Sequence, residues 1–77
     1  MEKILKYSYK DLCNLLIGKN VNFTSDCQFF PNFNITGYVI SINIVSNNEF
    51  LIHIKKTNGK YYDIGSHMHN LSFNIVN

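Results

Sequence analysis

A chain of 77 residues, 45% hydrophobic and with a formal net charge of +2, has room for one small domain and carries too much apolar material to be a disordered segment. Its seven cationic side chains are all lysines. Arginine grips phosphate and guanine edges bidentately, so its absence argues against sequence-specific DNA reading and leaves weak phosphate contact open.

No apolar run approaches the length of a membrane span, and nothing after Met1-Glu2-Lys3 opens a secretion signal. The sequence therefore predicts a cytoplasmic protein without membrane contact, whose thiols Cys13 and Cys27 stay reduced.

The first element is a short amphipathic helix over 8–18. Ser8 can cap its first turn, Asp11 opposes the positive helix end, and Gly18 can take the left-handed stop. Leu12, Leu15 and Leu16 share a face, with Cys13 and Ile17 at its margins. A helix this short must borrow stability by laying that stripe on a sheet.

Asn20 to Thr24 alternates polar and apolar, which points Val21 and Phe23 inward in a first strand. Ser25 to Asn34 then lacks any clean period. It holds Phe29, Phe30 and Phe33, and Pro31 forbids a central strand there, so it reads as a long loop carrying apolar weight.

From Gly37 to Gly65 the chain reads as an antiparallel meander. Ser46-Asn47-Asn48 makes one break and Thr57-Asn58-Gly59-Lys60 the sharper one, because Asn-Gly supplies the positive backbone angles of a tight hairpin. Strict alternation puts Tyr38, Ile40, Ile42 and Ile44 on the inner face of the second strand and Val39 outside. It also puts Phe50, Ile52 and Ile54 inside and Leu51, His53 and Lys55 outside on the third, and Tyr62 and Ile64 inside on the fourth. Gly65 to Asn70 suits a single tight turn, and Leu71, Phe73 and Ile75 alternate in a closing strand. Gly65-Ser66-His67-Met68 also spells a common cloning scar. The apolar alternation runs straight through it, so it reads as native sequence.

This order of elements resembles a Src-homology-3-like barrel. The resemblance implies a mostly β fold: a five-stranded small barrel over 20–76 with one N-terminal α-helix, the whole of 1–77 forming a single domain. Peptide-binding members of that fold use a paired Trp and a terminal Pro-Tyr. This chain has no Trp and reads His67-Met68-His69 at the corresponding turn, which puts proline-rich ligands in doubt. The segments Asp26 to Phe33 and Ile64 to Leu71 are similar to small uncharacterised proteins of low-GC bacteria and their mobile elements, a resemblance that brings no activity with it; a small, cytoplasmic chain rich in Asn, Ile and Lys would suit a phage- or plasmid-encoded accessory or inhibitor protein.

No motif for catalysis or a cofactor is present. The glycines stand singly at element boundaries, so there is no phosphate loop. His67 and His69 are two apart, which in a strand would project them to opposite sides, and no Cys pair at ligand spacing supports a zinc site. Asp26 beside Cys27 would raise the thiol pKa, so Cys27 is not activated as a nucleophile. The chain therefore reads as a non-enzyme without cofactor or metal.

Three binding readings follow. The first is docking of another protein through Phe29, Phe30, Pro31 and Phe33, with His67, Met68 and His69 beside them and Val39 and Leu51 as outward apolar residues, since exposed aromatics dominate interfaces. Two of the same phenylalanines could instead plug the barrel while Pro31 sets the turn. The second is a nucleic-acid-binding barrel using Lys55, Lys56 and Lys60 with stacked aromatics. The third is a homodimer through exposed sheet edges.

Overall fold

The computed structural model describes residues 2–26 and 32–76. Within them the protein is mostly β, with one short helix. The elements in chain order are β1 (Glu2–Lys3), a 3-10 turn (Ile4–Lys6), α1 (Tyr9–Leu16), β2 (Asn20–Ser25), β3 (Phe33–Ser46), β4 (Glu49–Lys56), β5 (Tyr61–Gly65) and β6 (Ser72–Ile75). The strands form one antiparallel sheet in the order β1-β6-β2-β3-β4-β5.

This corrects the expected five-stranded barrel. Among the described residues the sheet has six strands and is not closed, with β1 and β5 at its two ends. The added strand is the two-residue β1, too short to carry an alternation that could be read from the sequence. It is held by pairing Glu2 with Phe73 and Lys3 with Ser72.

The helix begins where expected and ends earlier than 18. The Ser8 hydroxyl accepts the Asp11 amide at 3.2 Å, satisfying one of the free donors of the first turn. Ile17 is already extended and Gly18 sits at φ +86°, the left-handed geometry that glycine adopts without penalty. Gly18 then donates to the Val39 carbonyl, and Val39 donates to the Lys19 carbonyl, both at 2.9 Å. That exchange fixes the helix end to the middle of β3. Leu12 and Leu16 are buried, whereas Leu15 is partly exposed.

The core is Ile4, Leu12, Leu16, Val21, Phe23, Val39, Ile42, Ile52, Ile54, Ile64, Leu71 and Phe73. It fills the space between the sheet's inner face and the N-terminal elements. Ile4 was not foreseen in it. That side chain is fully buried, and its amide donates to the Leu71 carbonyl at 2.9 Å.

On β3 the inward set differs from strict alternation. Val39 stands opposite Ile54 and Ser41 opposite His53, so Ile40 is an extra residue that the partner strand does not match. One inserted residue reverses which face every following side chain takes. Val39 is therefore buried, not outward, and Ile42 is buried with it, while Tyr38 and Ile40 lie on the exposed side. Ile44 is opposite Phe50 as alternation requires, yet it is exposed because the hairpin there runs past the covered core. Tyr62 and Ile75 also keep their inner register and remain partly exposed near the sheet's margins.

The segment that spells a cloning scar is part of the fold. Ser66 is fully buried, its hydroxyl accepts the Phe50 amide at 2.8 Å, and its own amide donates to the Phe50 carbonyl at 2.9 Å. Gly65 to Asn70 forms successive turns, with Met68 donating to the Gly65 carbonyl and Leu71 to the Met68 carbonyl.

Candidate binding face

Cross-strand partners in an antiparallel sheet share a face, so the registers describe the outer surface row by row. One row runs Asn20, Tyr38, Lys55, Tyr61 across β2 to β5, and the next runs Ser41, His53, Asp63 across β3 to β5. Lys19 precedes Asn20 and Lys60 precedes Tyr61 at the two ends of the first row. Lys56 lies opposite Gly37 on the inner side of the same sheet end. Four lysines, Lys19, Lys55, Lys56 and Lys60, thus gather at one end of the sheet with Tyr38, Tyr61 and Tyr62.

The three tyrosines are exposed, and a lysine lies near two of the rings, Tyr61 on the outer face and Tyr62 on the inner. Tyr61 is 60% exposed, with the Lys55 ammonium 6.0 Å from its ring centre and the His53 ring parallel to it within 3° at 5.4 Å. The Lys56 ammonium is 5.8 Å from the centre of Tyr62. Asp63, the acid of the second row, is engaged by His53, whose Nδ1 lies 2.6 Å from Oδ1. The hairpin that presents Lys60 is shaped locally. Gly59 sits at φ +86°, the Asn58 side chain accepts the Lys60 amide at 3.0 Å, and Lys56 donates to the Lys60 carbonyl at 2.8 Å.

The residues singled out for protein docking are placed differently. Phe29, Phe30 and Pro31 lie outside the described residues, as does Cys27. Phe33 and Met68 are half-buried against the core, and Phe33 also meets Tyr62 at 6.4 Å between ring centres. Most of their apolar surface is therefore used in packing. His67 and His69 are exposed, and His69 Nε2 is 3.8 Å from Asp26. Among the described residues no three His, Cys, Asp or Glu side chains converge to hold a metal ion. Lys55 and Lys60 are exposed and Lys56 half-buried, all at the lysine-rich end. Strict alternation puts Tyr38 on the inner face, and the bulge at Ile40 turns it outward.

A shallow cleft of about 530 Å³ opens elsewhere, between the start of α1 and the β3–β4 hairpin, lined by Leu5, Tyr9, Ile44, Asn48 and Phe50 among others. Two phenols near it hold their protons more tightly than usual. Tyr9 is raised first by its hydrogen bond with Cys13 and then by burial. Tyr7 is raised first by its hydrogen bond to Glu2 and then by burial. No helix among the described residues is long and apolar enough to cross a membrane. No family model, curated protein or solved structure matches the chain.

Proposed function

We propose that this protein is a non-enzymatic binding domain that holds an unpaired nucleic-acid strand across the outer face of β3 to β5. The observation that carries the reading is Tyr61, exposed, flanked by a parallel His53 ring and overlain by the Lys55 ammonium. An exposed ring offers a stacking platform to a base, and an ammonium beside it meets the neighbouring phosphate. Both are available to any base, which suits a lysine-only protein without the bidentate donors of sequence reading. The charges elsewhere fit too. Glu2, Asp11, Asp26 and Glu49 lie on other elements or at the far hairpin, so they do not oppose phosphate at this end. The fold reading beside it is an open form of the Src-homology-3-like small barrel: β2 to β6 keep the expected sequence of elements, and β6 returns to lie beside β2.

Fluorescence anisotropy with labelled oligothymidine and oligouridine tests it. Binding is expected at low salt and should fall steeply as salt is raised. Tyr61→Ala should weaken it by about 1–3 kcal/mol, the range for losing one stacked base. No binding at low salt, or binding that Tyr61→Ala leaves unchanged, overturns the reading.

Docking of another protein remains a second reading, favoured by Leu5 and Ile44, which are 74% and 60% exposed beside the cleft. Leu5→Ser with Ile44→Ser should then abolish co-purification of a partner while leaving oligonucleotide binding unchanged.

A further inference from the structure

We infer that β5 is a dimerisation edge, pairing antiparallel with β5 of a second copy about a two-fold axis at Tyr62. Lys56 donates to the Lys60 carbonyl and Ser66 donates to the Phe50 carbonyl, so Lys60 and Ser66 turn their backbone groups toward β4. The β4–β5 register between them is continuous, pairing Lys55 to Leu51 with Tyr61 to Gly65 without a bulge. Alternation along an antiparallel strand therefore aims the N–H and C=O of Tyr61, Asp63 and Gly65 away from β4. No other strand among the described residues meets that side.

Sheet edges are commonly blunted by shortness, lysine, proline or a bulge. The opposite end uses shortness, since β1 has only two residues. Tyr61-Tyr62-Asp63-Ile64-Gly65 is not short and holds no lysine, proline or bulge, and its one charged residue, Asp63, is engaged by His53 of β4. It also leaves an aromatic ring partly exposed on each face, Tyr61 outward and Tyr62 inward, at 60% and 38%.

A second copy is the occupant that this edge fits, because the strand is complementary to itself. Isologous registers centred on Tyr62, Asp63 or Ile64 keep each face on its own side and pair at least three residues of the strand, but Ile64 is already buried in its own core and has no surface to offer across an axis. An axis at Asp63 would set two carboxylates directly opposite, which is destabilising. An axis at Tyr62 sets Tyr61 across from the second copy's Asp63, so that these outward-facing residues exchange both backbone bonds on either side of the axis. It also brings the two Tyr62 rings together on the inner face. The two six-stranded sheets then become one, and the Tyr61 and Lys55 surfaces of both copies adjoin. The inference does not depend on what that surface binds.

Sedimentation velocity across the micromolar range tests it, with Asp63→Pro and Tyr62→Lys as variants. Asp63 presents its N–H outward, so proline removes no bond to β4. Tyr62→Lys keeps the backbone intact and places two ammonium groups across the axis. The wild type should move from 9.0 kDa to twice that mass with rising concentration, and both variants should stay at the lower mass. The Tyr61 and Asp63 amides should gain hydrogen-exchange protection over the same concentrations. A wild type that stays monomeric throughout, or a dimer that both variants retain, overturns the proposal.

Discussion

The Tyr9 hydroxyl donates to the Ile42 carbonyl at 2.7 Å, tying the first turn of α1 to β3 just past its bulge. The Tyr9 ring also meets Phe50 at 5.4 Å between centres. Tyr9→Phe keeps the ring contact and removes the donor. It should lower the urea midpoint of unfolding, because the Ile42 carbonyl loses its donor.

Those phenols also set an alkaline limit. Tyr9 and Tyr7 are raised above 10.0, so the fold favours their protonated forms. A raised pKa contributes stability that is complete below the unfolded value and is lost as pH climbs through the folded one. The contribution should thus be constant up to about pH 9 and decline above about pH 10. Urea midpoints for the wild type and the Tyr7→Phe, Tyr9→Phe double variant should converge across that window. Parallel curves there would show that these hydroxyls add nothing.

Gly37 allows β3 and β4 to approach. A methyl group placed there would lie 2.9 Å from both Ile54 Cδ1 and the Lys55 carbonyl oxygen, and the backbone oxygen cannot step aside cheaply. Gly37→Ala should cost about 1–3 kcal/mol, as overpacking does, with thermal unfolding as the readout. Gly59→Ala makes the comparison, since nothing lies within 4 Å of the site and only its φ of +86° is strained.

Ile4 anchors the N-terminal segment by a fully buried side chain and by its amide on Leu71. Ile4→Ala keeps the amide and opens a cavity. A loss of about 2–5 kcal/mol is expected, whereas Leu5→Ala, at an exposed neighbour, should stay within about 0.5 kcal/mol.

Ser66 bonds the Phe50 amide from a fully buried position. Ser66→Ala should strand that donor at a cost of about 1–3 kcal/mol, seen as a lower urea midpoint.

Much of this fold could be read from local chemistry. Ser8 and Gly18 punctuate the helix, the Asn58-Gly59 hairpin lies where its backbone angles demand, and Ile52, Ile54, Ile64 and Phe73 keep the faces that alternation assigns. The bulge could not be read, because Val39 and Ile40 are both apolar and nothing in Tyr38-Val39-Ile40-Ser41 marks which residue is surplus. That one residue moved Tyr38 from the core to the surface and Val39 the other way. The lysine-rich hairpin was legible as a charge cluster. Its union with Tyr38 and Lys19 depends on strand order, which local pattern does not encode. β1 and Ile4 were not legible because Glu2 to Lys6 is too short a stretch to show a period.

β2 acquires its two neighbours at very different times. Its pairing with β3 joins stretches close in sequence, while its pairing with β6 sets Phe23 beside Phe73, near the other end of the chain. During synthesis β2 therefore has a bare flank until Ser72 to Ile75 have left the ribosome. A ribosome stalled before that point would display the flank as an adhesive strip.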